Sequence, residues 1–255
     1  MSDYDRYANA RAGVGIARSA ASIDQGLRAY MLGVYNYMTL GIGLTGVVAY
    51  FTYLLADVHF AGARIVSASP FGEALYFSPL RWVVIFAPLA LVFAISAGRN
   101  AMSVSATRLV FIGFAALMGL SLSTVFLIYT QASIAQVFFI TAASFGALSL
   151  YGYTTSRSLS AMGSFLVMGL IGLIIASVVN VFLQSGAFQF WLSLIGVGIF
   201  AGLTAWDTQA IKDSYVSGDA YETSEKKAIF GALRLYLDFI NLFQQLLFLM
   251  GNRRS

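Results

Sequence analysis

Asp207 closes the apolar run WLSLIGVGIFAGLTAW, and Asp238 lies inside LRLYLDFINLFQQLLFLM. All other acidic residues fall in the N-terminal tail, in the 57–73 connection, or in the charged loop between those two runs. An ionisable side chain at membrane depth is costly unless paired, so it marks function by default. Two carboxylates sharing a site do not both ionise easily, and such a pair can sense pH, bind a cation, or do both. Oxygen ligands suit calcium, although two carboxylates fall short of its usual six to eight or so. Arg234, Asp238, Asn241 and Gln245 follow one another at i, i+4, i+7 and i+11, one stripe on a helix. That stripe is expected to face a bundle interior, with Arg234, Asn241 and Gln245 supporting the aspartates. A plainer alternative stays open, in which Asp207 snorkels and Asp238 pairs with Arg234 as structural glue. Arg99 ends the run LVFAISAG and offers a guanidinium fork for carboxylates, or is an ordinary flanking charge.

The elements that must position these groups follow from composition. Of 255 residues, 59% are hydrophobic and 10% charged, against roughly 25% charged in a soluble domain. The chain therefore reads as an all-α polytopic membrane protein. Spanning helices need about 20 mostly apolar residues, and seven stretches qualify: 31–55, 82–98, 109–130, 135–153, 163–184, 189–210 and 231–250. Pro70 and Pro79 fall in the long second connection, while Pro88 is expected to bend segment 2. Residues 1–26 form a polar tail without a cleavable signal, and 27–252 a single seven-helix domain. Placing the N-terminus in the cytoplasm puts Arg6, Arg11, Arg18, Arg28, Arg99, Arg108, Arg157, Lys212, Lys226, Lys227 and Arg234 on the positive side. Both aspartates then lie at comparable depth below that surface.

Other motifs dissolve in context. Gly41-Ile-Gly43-Leu-Thr-Gly46 matches a dinucleotide fingerprint by letter but sits inside a span, without a preceding strand, and reads as helix packing. Gly198 with Gly202, and Gly169 with Gly172, have the spacing that brings helices close in lipid. There is no cysteine, and the single histidine, His59, lies in an outer connection, so zinc hydrolysis and histidine-based proteolysis have no candidates. All three lysines are in the 6–7 loop. No enzyme, cofactor, nucleotide or nucleic-acid partner is expected.

The run Leu233-Arg-Leu-Tyr-Leu-Asp238-Phe-Ile-Asn241-Leu-Phe resembles the signature of the Bax inhibitor family, and Asp207-Thr-Gln-Ala-Ile-Lys212 resembles its segment 6 motif. Gly26-Leu-Arg-Ala-Tyr-Met-Leu-Gly-Val-Tyr-Asn-Tyr-Met38 is similar to bacterial members. The resemblance implies seven helices with the C-terminal one central, and a pH-sensitive calcium leak. It also implies a di-aspartyl sensor matching Asp207 and Asp238, and an arginine latch best matched by Arg99. Some members carry a glutamate in segment 2, absent here between Arg81 and Gly98. The expected function is thus a calcium leak of a bacterial inner membrane. The alternative is a non-conducting regulator binding membrane proteases or other stress-response partners, with Arg6, Arg11 and Arg18 as its handle.

Overall fold

The computed structural model describes residues 3–61, 64–98 and 101–254. Seven long helices are each apolar enough to cross a membrane. They are α1 (Asp3–Ala56, its apolar span Asp24–Ala56), α2 (Leu80–Gly98), α3 (Val104–Leu122), α4 (Gln131–Thr154), α5 (Ser160–Leu183), α6 (Gly186–Asp213) and α7 (Tyr221–Met250). All seven expected segments are present, and every one of the helices begins earlier than hydropathy places it. Polar caps explain several of these starts: the side chains of Ser103, Thr130 and Ser185 accept hydrogen bonds from the backbone N–H of Ala106, Ser133 and Phe188. The third segment breaks at Ser123 and resumes as a helical turn, Val125–Ile128. Pro88 lies inside α2 without ending it.

The long connection after α1 is folded. Strands His59–Ala61 and Arg64–Ser67 pair antiparallel, with a bulge between His59 and Phe60. A short helical passage, Pro70–Phe77, then leads to α2. Tyr76 is buried there and its hydroxyl donates to Ser123 Oγ at 2.9 Å. Burial pushes that phenol above its ordinary range. The tail after α7 closes the same end: Thr130 N–H donates to the Asn252 carbonyl, and Arg254 N–H to that of Ile128. The Arg254 guanidinium lies over the rings of Tyr53 and Phe60.

α7 packs against α1, α3, α4 and α6. Half of its most apolar stretch is buried, against 11–33% for the other six. By contrast α5 shows Phe165, Met168 and Phe182 to the outside, as a lipid-facing helix must.

The glycines divide by what they touch. A Cβ on Gly41 would meet the rings of Phe111 and Tyr236 at 2.7 and 3.3 Å, whereas Gly43 and Gly46 have open space. The dinucleotide-like spacing is thus one close helix contact and two free positions. Likewise Gly202 is pressed by Leu166 and Gly169 by Ile199, while Gly198 and Gly172 meet nothing.

Candidate functional site

Three side chains meet where α6 faces α7. Asp207 and Asp238 are each 6% exposed, and their carboxyl groups are close enough to act on each other electrostatically. Arg234, one turn before Asp238 on α7, donates from Nη2 to Asp207 Oδ1. Asp238 Oδ2 is buried with no hydrogen-bond partner among the described residues. Arg234 therefore binds the aspartate of the neighbouring helix, and the alternative of an Arg234–Asp238 pair within α7 is not the arrangement found.

The surrounding sequence fixes this geometry. Gly163 on α5 lets the Trp206 indole lie directly on its backbone, since any Cβ there would overlap the ring. Arg234 then stacks over Trp206, 5.4 Å from the ring centre. On α7, Tyr236 donates to Thr45 Oγ1 at 2.7 Å while that hydroxyl donates to the Ala115 carbonyl. The Tyr236 ring meets Phe111 and Phe114 edge-on, and Phe239 meets Phe138 and Phe145 on α4. These anchors on two sides set the rotation of α7, and the remaining direction points Asp238 at α6. Asn241 is tied to its own helix, Nδ2 donating to the Leu237 carbonyl. The Gln245 side chain packs where a Gly196 Cβ would stand.

The segment 6 motif also fastens the turn between α4 and α5. Gln209 accepts from Leu159 N–H and donates to the Arg157 carbonyl, and Lys212 donates to the Tyr153 carbonyl at 2.9 Å. The sequence marks Gln209 and Lys212 only as members of the segment 6 motif. Sequence reasoning missed a second ionic cluster: Glu225, on the first turns of α7, accepts from Tyr37 on α1 and Arg108 on α3, both at 2.5 Å. Arg108 and Glu225 lie in the first turns of α3 and α7, whereas Tyr37 lies well inside α1. Arg99, the expected latch, lies outside the described residues.

Two neighbouring buried carboxyl groups do not both ionise easily. With one proton, the Asp207–Asp238–Arg234 group is neutral overall; with none, it carries one uncompensated negative charge in a buried place. Among the described residues, no group of three or more His, Cys, Asp or Glu side chains is arranged to hold a metal.

Residues 27–255 match the family described as "Inhibitor of apoptosis-promoting Bax1". The chain belongs to the Bax inhibitor family. A Rickettsia prowazekii protein is 47% identical over 234 residues, covering 92% of this chain and 94% of its own. The inner membrane protein YbhL of Escherichia coli is 46% identical over 231 residues, covering 90% and 94%. A Caulobacter vibrioides protein is 43% identical over 258 residues, covering both chains in full. Membership in the Bax inhibitor family and seven apolar helices together fit a multi-pass membrane protein.

Proposed function

We propose that this Bax inhibitor family protein is a pH-sensitive calcium leak of a bacterial inner membrane, with Asp207 and Asp238 as its proton sensor. The observation that carries the reading is the juxtaposition of two buried carboxyl groups with Arg234 on one of them. The pair lies towards the end of the bundle that holds Arg157, Lys212, Lys226 and Lys227, which by charge faces the cytoplasm. α7, enclosed by its neighbours, is the helix whose position opens or closes that end.

With one proton shared, Arg234 has a counter-ion and binds α7 to α6. A second proton neutralises Asp207 and leaves Arg234 without that partner. Its side chain is already 46% exposed, so the guanidinium can turn to water along its aliphatic stem. The α6–α7 contact then loosens and calcium passes as cargo, with flux rising as pH falls. The test is calcium flux into liposomes containing only this protein, measured at several pH values. No calcium flux above empty liposomes at any pH would end this reading.

A further inference from the structure

Two cavities open on the flank between α1 and α4. One is about 680 Å³ and the other about 390 Å³, each within the range of roughly 300–1,000 Å³ typical of ligand sites. Ile42, Phe138 and Phe239 line both, so they form one crevice. Along α1 it runs from Arg28 to Tyr50, about 33 Å of helix, close to the ~30 Å of a hydrocarbon core. The crevice is deeper than ordinary lipid-facing surface, because Phe239 of α7, only 3% exposed, forms part of its wall.

Its polarity is one-sided. Arg28 lies in the first turns of the α1 span, exposed, with no hydrogen-bond or ion-pair partner among the described residues. The Tyr153 hydroxyl, at the corresponding end of α4, is likewise unpaired. The hydroxyls of Tyr35 and Ser149 come next, 2.7 Å apart. Beyond them the walls are almost wholly apolar as far as Gln131 and Tyr50. Gly146 and Gly46 line the crevice, and a Cβ on either would meet nothing within 4 Å.

We propose that this crevice is a binding site for one anionic phospholipid of the surrounding bilayer. Its phosphate is held by Arg28 and the Tyr153 hydroxyl, and an acyl chain lies across Phe239. A cation and a hydroxyl donor at the membrane interface complement a phosphodiester, and the long apolar remainder complements a chain. An apolar helix of a partner protein would leave Arg28 and Tyr153 unanswered. This site does not depend on what the carboxyl pair does.

The test is native mass spectrometry of delipidated, detergent-solubilised full-length protein titrated with phosphatidylglycerol or phosphatidylcholine. The wild type is expected to retain one phosphatidylglycerol per chain in preference to phosphatidylcholine. Arg28→Gln should weaken that retention about five-fold, the usual effect of one basic residue at an anionic surface. Gly146→Leu should abolish retention by filling the crevice, and Gly46→Leu serves if that variant does not fold. Gly172→Leu, on α5 and also facing open space, should bind as the wild type does. Equal retention of the two lipids, undiminished retention in both crevice-filling variants, or an equal loss in Gly172→Leu would each reduce the crevice to ordinary annular contact and overturn the proposal.

Discussion

Replacing Arg234 with Met keeps the stem that covers Trp206 and removes only the charge. Asp207 is then left buried without its cation. Breaking a fully buried ion pair costs roughly 3–5 kcal/mol, whereas exposed pairs are worth about 0–1 kcal/mol. This pair has one buried member and one half-exposed member, with side-chain exposures of 9% and 46%. An intermediate coupling of about 2 kcal/mol follows from those limits. The two single variants should differ. Asp207→Asn leaves Arg234 free to reach water and should cost little stability, whereas Arg234→Met strands a carboxylate and should cost most of the coupling. The double variant should be more stable than the sum of the singles by about 2 kcal/mol, measured by unfolding titration in mixed micelles. If the coupling drives the gate, calcium leak at neutral pH should rise about ten- to thirty-fold in Arg234→Met, since about 1.4 kcal/mol is a factor of ten. A cycle closing to within about 0.5 kcal/mol, the scatter expected of independent sites, would refute the idea that Arg234 binds α7 to α6.

Asp207→Asn should give a calcium flux that is high and flat with pH, because it mimics the protonated residue. Asp238→Asn should keep the leak low at neutral pH and leave its rise in acid to Asp207 alone, because the neutral amide stands in for the protonated Asp238. Unchanged profiles in both would remove the sensor. Glu225→Gln should weaken the hold of α7 on α1 and α3, read as faster backbone hydrogen exchange at the start of α7. Gly152→Ala should be destabilising by about 1–3 kcal/mol, the range for overpacking, because the methyl would press on the Ala205 backbone; Gly198→Ala, with open space, should not. Tyr76 holds its proton more tightly when folded than when unfolded. The stability it contributes is therefore complete below the ordinary phenol value of about 10 and lost as pH rises towards its higher folded value. Tyr76→Phe should remove that alkaline loss in hydrogen exchange of residues 64–77.

Hydropathy gave the seven helices because lipid imposes one rule on every span, and that rule is written in composition. It misplaced the ends because capping serines and threonines are polar yet belong to the helix. The two aspartates stood out for the same reason the helices did, as charges where the pattern forbids them. Their partner was harder. Arg234 lies one turn from Asp238, so spacing along α7 favours that pair, yet the side chain crosses to Asp207. What decides this is the Trp206 shelf on Gly163, a contact among three helices that no one-dimensional pattern carries. Glu225 illustrates the same limit. In the sequence it belongs to a charged loop, and only the extension of α7 back to Tyr221 brings it against Arg108 and Tyr37.

Asp207 and Arg234 are separated by 27 positions along the chain, which has a consequence for how the protein enters a membrane. During synthesis Asp207 emerges first, on a helix that alone would carry an unanswered carboxylate into hydrocarbon. An aspartate at mid-span disfavours insertion by roughly 2.5–3.5 kcal/mol, and less near a helix end. The compensating guanidinium arrives only with the next helix. Commitment of α6 to the bilayer is therefore completed by α7, and the two are expected to partition from the translocon as a single hairpin. The same ion pair that secures the finished bundle thus serves earlier as the counter-charge that lets its last two helices leave water together.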